Sequence, residues 1–243
     1  MDTVARALLT DLRDTLLPGR GGKYGLLPPL LVGLTVITGL VDAFSYLTLG
    51  HVFVANMTGN VVFLAFGLVG VGGFSVATSL VAIGAFILGA LGGGLFRSRL
   101  SSRLRRQLAV ATGTQLLLLV AGVILSAIAG SAIQGGLRYG LVAVLAVAMG
   151  IQNATARGLA VPDLTTTVLT MTITGIAADT HVAGGTGSKA GRRLISIAAM
   201  LGGAVAGGAL ILRGQVTASL VIAVILLAVV TGGTRLAPDA IKS

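Results

Sequence analysis

The chain has 243 residues, 55% of them hydrophobic and 10% charged, with a formal net charge of +10, no Cys and no Trp, and a mean hydropathy of +1.00. That balance excludes an ordinary soluble domain, and the missing thiols exclude disulfides, thiolate nucleophiles and Cys-ligated metals. Nor does the positive charge form a nucleic-acid surface, because the basic residues cluster at Arg6, Arg13, Arg20 and Lys23, at Arg97, Arg99, Arg103, Arg105 and Arg106, and at Lys189, Arg192 and Arg193. Each cluster flanks a hydrophobic segment, as cytoplasmic loops do.

Residues 1–26 place Val4, Leu8, Leu9, Leu12 and Leu16 at helical spacing with Arg6, Asp11, Arg13 and Asp14 between them. They lack a continuous apolar stretch and a small-residue cleavage site, so the expectation is an amphipathic helix on the cytoplasmic surface, not a signal peptide. Apolar segments follow at 27–49, 51–71, 73–96, 108–129, 138–160, 164–178, 194–212 and 214–232. A bilayer core about 30 Å thick needs roughly 20 such residues per helix. If all of these segments crossed, the N-terminal basic cluster and the Arg-rich loop at 97–106 would fall on opposite sides. The segments 51–71 and 164–178 follow their predecessors with almost no loop and are dense in Asn and Thr. If each enters the membrane and returns, the N-terminus, 97–106, 179–193 and the C-terminus all lie inside, leaving Arg138 and Arg213 near outer ends. The expected fold is therefore an all-α polytopic membrane protein with six full transmembrane helices plus two re-entrant or broken segments. Its membrane domain covers 27–232, with a cytoplasmic tail at 233–243.

The same two segments expose an internal repeat. "GLVDAFSY" (39–46) lies over "GIQNATAR" (150–157), pairing Gly39 with Gly150, Asp42 with Asn153 and Tyr46 with Arg157; "VFVANMTGN" over "LTTTVLTMT" pairs Thr58 with Thr170; "GALGGG" (89–94) lies over "GAVAGG" (203–208). The spacing is 111 to 114 residues throughout. Halves of about 27–129 and 138–232, each with three crossings, would be inverted relative to one another, and inverted halves with broken elements in corresponding positions point to a site near the bilayer midplane.

Polarity inside the spans marks the candidate site. Asp42 is the one acidic residue well within a predicted span, and an ionised Asp there costs about 2.5–3.5 kcal/mol on the insertion scale, so it requires a partner, a cavity or a proton. It is a candidate proton-coupling group, or a structural cap for the broken segment that follows. Tyr46 shares its helical face at i+4, as Arg157 does with Asn153. Arg157 is a candidate counter-ion for Asp42, or another inner-end basic residue. Asn56 and Asn60, and Thr166, Thr167, Thr170 and Thr174, would form polar stripes on short helices, although Thr hydroxyls can also return to the i−4 carbonyl. Where a helix breaks, free backbone groups need protein or water, so these polar residues are expected to line a cavity. Gly89, Gly92, Gly93 and Gly94, with Gly202, Gly203, Gly207 and Gly208, offer small faces for helix packing and for a homo-oligomer.

The run "GLVDAFSYLTLGHVFVANMTGN", with "GIQNATARGL" and "LTTTVLTMTITGIAAD" further on, resembles the YoaK family of bacterial membrane proteins, the domain of unknown function 1275, over roughly residues 27–232. The resemblance implies a multi-pass protein of the bacterial cytoplasmic membrane and leaves the ligand open. The matching positions are Asp42, Tyr46, Asn56, Thr58, Gly59, Asn60, Gln152, Asn153, Arg157, Thr166, Thr167 and Thr170, which the polarity argument also selects as substrate- or ion-binding. The function expected is a secondary transporter or facilitator for a small solute, with a proton as a further partner; a channel and a structural subunit are the alternatives. An enzyme is not expected, because His51 and His181 lie on separate segments and, on a continuous helix, Asp42 and His51 would stand about 13 Å apart. No catalytic, metal or cofactor site follows from the sequence.

Overall fold

A computed structural model describes residues 10–17, 24–100, 103–130, 133–161, 164, 169–179 and 190–237. Among them six helices are long and apolar enough to cross a membrane, and the secondary structure is helical throughout. They are α1 (Leu27–Thr48), α3 (Val76–Arg99), α4 (Leu104–Ala129), α5 (Gly135–Leu159), α7 (Ala190–Leu212) and α8 (Val216–Gly233). Two shorter apolar helices, α2 (Met57–Leu68) and α6 (Leu169–Ala178), occupy the Asn- and Thr-rich stretches. At 1.5 Å per residue, the 12-residue α2 reaches about 18 Å, well short of a bilayer core. Ahead of α1, residues 10–16 are helical, with Thr15 buried and Leu16 and Leu17 exposed.

Local chemistry sets the helix ends. Proline at the start of α1 costs nothing where an N–H would be unpaired anyway. After Thr48 the chain turns through Gly50 and His51, both in the left-handed region at φ 89° and 54°. Gly130 and Gly214 end α4 and α7 in the same way. The Ser75 side chain caps α3 by accepting from the Thr78 amide.

The two halves are exchanged in space. α1 packs along α7 and α8, while α5 packs along α3 and α4. These two helices are the interior of the bundle, each with 61% of its apolar window buried, against 22–33% for α3, α4, α7 and α8. Glycine makes the long contacts possible. A Cβ on Gly39 would strike the Met200 carbonyl and the Ala204 nitrogen; one on Gly150 would strike the Phe86 carbonyl and the Ala90 nitrogen. Likewise Gly203 lies against the Val36 carbonyl and Gly89 against the Val147 carbonyl, Gly207 against Leu40 and Ala43, and Gly93 against Ile151 and Ala154. Not every glycine expected at a packing face is there. Gly92, Gly94 and Gly202 have open space over Cα, and Gly208 meets only the tip of Leu47.

These contacts fix directions. Rising residue numbers match along α1 and α7 and along α3 and α5, so each pair is parallel. Leu30 at Gly233 and Val230 at Gly33 make α8 antiparallel to α1, and Gly122 under Leu145 with Gln115 bonded to Gln152 makes α4 antiparallel to α5. One end of the bundle therefore gathers Arg97 over Gly158, Arg105 bonded to the Ala237 carbonyl, Arg192 over the Tyr24 ring and Arg193 paired with Asp179 at 2.8 Å. The opposite end carries Arg138, lying against Gly50, and Arg213 just past α7.

Candidate functional site

The segment between α1 and α2 does not run on outward. The Val54 and Ala55 amides donate to one oxygen of Asp42, at 3.1 and 2.9 Å, so this stretch lies back along α1 beside a residue about 9 Å short of the helix end. Its backbone is neither helix nor strand, and side chains hold it instead. Asn60 accepts from the Phe53 amide at 2.9 Å and donates to the Phe53 carbonyl at 2.6 Å, which satisfies both main-chain groups of a residue that no ladder pairs. The chain then returns through α2, and His51 Nδ1 lies 3.2 Å from the Gly73 carbonyl. Both ends of the excursion thus meet at the Arg138 end of the bundle. Rings fasten that junction: Tyr46 stacks on Phe53 at 5.0 Å and meets His51 edge-on at 5.2 Å, and Phe63, Phe66 and Phe74 continue the cluster.

A cavity of about 570 Å³ opens at the start of α2. Its wall takes Ala55, Asn56, Met57, Thr58 and Gly59 from that turn, Leu169 and Thr170 from the start of α6, Phe86 from α3 and Met200 from α7. Thr58 and Thr170, Met57 and Leu169, and Phe86 and Met200 stand 112 to 114 residues apart in the sequence. Among the described residues the lining carries hydroxyls, an amide, apolar side chains and no charge.

The sequence-derived residues divide into three groups. Asn56, Thr58 and Thr170 line the cavity, as does Gly59. Asp42, Asn60 and Tyr46 hold the segment that forms the wall. Gln152 lies elsewhere, in a buried polar cluster: it accepts from Gln115 at 2.6 Å and donates to Thr38 at 2.7 Å and to the Leu34 carbonyl, linking α5, α4 and α1. Asn153 donates to the Met149 carbonyl of its own helix. Thr166 and Thr167, like His181, lie outside the described residues.

The expected pairing of Arg157 with Asp42 is not present. Arg157 is exposed at the basic end, and since α1 and α5 run antiparallel with Gln152 level with Leu34 and Thr38, it stands on the order of 15 Å along the axis from Asp42. Among the described residues Asp42 forms no ion pair, and its second oxygen is buried without a hydrogen-bond partner. Phe86 and Met200 were not singled out from sequence, although the pairing of Gly89 with Gly203 already sets them in register. Gln115, an amide inside the 108–129 span, is a signal of the same kind left unused, whereas Thr38 carries none, because its hydroxyl also returns to the Leu34 carbonyl of its own helix.

Residues 30–233 match the model of the family described as protein of unknown function DUF1275. The chain belongs to this family. It is 32% identical over 151 residues to the UPF0700 transmembrane protein YoaK of Bacillus subtilis (strain 168), a match covering 62% of this chain and 65% of that protein. No solved structure matches the chain. With six long apolar helices among its described residues, the DUF1275 chain is a multi-pass membrane protein.

Proposed function

We propose that this protein is a small-solute secondary transporter or facilitator built from two inverted halves, with α2 and α6 as the returning arms of re-entrant segments and a proton as coupling ion. The cavity carries this reading: corresponding residues of the two halves meet around it, at the starts of two helices too short to cross. Such broken elements in matching positions are where secondary transporters of inverted-repeat design bind their substrates. The neutral lining of Asn56, Thr58 and Thr170 beside Phe86 and Met200 suits a solute with a few hydrogen-bonding groups and an apolar part. Under the positive-inside bias, the Arg-rich end faces the cytoplasm of a bacterial inner membrane, with both termini on that side.

The test is solute flux through the purified chain in proteoliposomes, followed by light scattering as vesicles swell in a panel of small polyols, amides and monocarboxylates. Thr58→Trp fills the cavity and supplies the chain's single Trp. The expected result is permeation of a restricted set of solutes by the wild type and its loss in Thr58→Trp. Absence of flux for the whole panel, with Thr58→Cys and Thr170→Cys inert to water-soluble maleimides, would replace transport with a structural role.

A further inference from the structure

We propose that Asp42 is a proton-binding positioning residue: one carboxyl oxygen takes up and releases the proton, and the other transmits the change to the 52–56 segment that walls the cavity. This rests on the transport reading above, for which it names the coupling group.

The two oxygens have different surroundings. Oδ1 accepts from the amides of Val54 and Ala55. Oδ2 has no partner, although the residue is only 4% exposed. Among the described residues, a charge in that position is offset neither by a cation nor by hydrogen bonds on the second oxygen. Holding the segment does not need an acid. Asn60 holds Phe53 with an amide, and in the proposed repeat the position corresponding to 42 is Asn153. An amide at 42 would accept the same two N–H bonds, so the carboxyl adds something that folding does not require.

Among the described residues, the neighbours leave the proton to this one group. α7 brings Gly203 and Gly207 against Leu40 and Ala43, and α5 brings the neutral Gln152 to Thr38. Ionisable groups nearby are Tyr46, one turn along α1, and His51, in contact with the Tyr46 ring and bonded at Gly73; Arg138 lies at Gly50. A proton arriving from water as hydronium forms an O–H bond on Oδ2 and leaves a neutral acid. Hydrogen bonds to a neutral oxygen are roughly half as strong as those to a carboxylate, so protonation loosens Val54 and Ala55. Ala55 is itself part of the cavity wall.

The experiment uses the full chain in lipid, with Thr58→Cys as its single thiol and N-ethylmaleimide as the probe, in Asp42 and Asp42→Asn backgrounds across a pH series. Dividing the two labelling rates at each pH removes the ionisation of the thiol itself. The ratio is expected to change roughly fivefold from the alkaline to the acid end with one inflection, and to keep that inflection in a His51→Gln background. The infrared carbonyl band of a protonated carboxylic acid, titrated in parallel, should lose one component in Asp42→Asn. A flat ratio with no missing band component, an inflection that disappears with His51, or an Asp42→Asn chain that does not fold would each overturn the proposal. Absence of labelling in both backgrounds would count against the open cavity and the transport reading, and the infrared titration of the wild type against Asp42→Asn would then decide Asp42 alone. Flux is not measured here, so the two readings fail separately.

Discussion

Asp42 and Asn60 show why polar residues were placed in an otherwise apolar stretch. A backbone that leaves its helix inside a membrane needs acceptors and donors that lipid cannot supply. Asp42 accepts from the amides of Val54 and Ala55, and Asn60 accepts from the amide of Phe53 and donates to its carbonyl. Asn60→Ala is expected to cost about 1–3 kcal/mol for each orphaned group, seen as a lower melting temperature in detergent by size-exclusion thermal challenge. Asp42→Ala should be similarly destabilised, whereas Asp42→Asn should melt close to the wild type. Equal loss in both Asp42 variants would show that the charge, not the acceptor, holds the segment. Residue identity alone announced that something polar was needed at these positions. It did not say that Asn60 would turn to Phe53 while Asn56 and Thr58 faced the cavity, because that choice depends on where the chain folds back. The Asp42 and Arg157 pairing failed for a related reason: similar positions in two antiparallel helices recede from each other along the axis.

Among elements, apolar length made the six crossing helices legible, since lipid rewards little else, and the two short helices fell inside the segments that the charge bias had set apart. The start of α2 was not legible. Residues 51–71 read as one apolar run, yet the stretch before Met57 is irregular, held by the side chains of Asp42 and Asn60. Glycine spacing was legible in part. Four of the motif's glycines touch backbone across α1–α7 and α3–α5, and others look outward. Gly89→Ala and Gly203→Ala should therefore lower stability by about 1–3 kcal/mol through overpacking, while Gly92→Ala and Gly202→Ala should be neutral or gain up to about 1 kcal/mol of helix propensity. The same melting measurement checks all four, and equal losses at both kinds of site would mean that the outward faces are covered. The cluster of Gln115, Gln152 and Thr38 shows what one helix cannot reveal: both amides are visible as polar residues within spans, but their meeting with Thr38 depends on how three helices pack.

For the whole molecule, the basic end and its opposite make the orientation testable in a chain without native Cys. Ser98→Cys, exposed at the end of α3, should react with an impermeant maleimide only from the cytoplasm, and Gln134→Cys, exposed before α5, only from outside. Labelling of both from one side would require a different number of crossings. The exchange of partners between halves also bears on how the protein is made. α1 is synthesised well before the helices it packs along, α7 and α8, so its glycine-bearing face waits unpaired while the intervening helices are made. Neither half can complete its own core. Each expressed alone should be degraded, while the two co-expressed, with the chain cut between 130 and 135, should rescue one another; the ribosome delivers this protein as two incomplete parts that finish only when the last helix arrives.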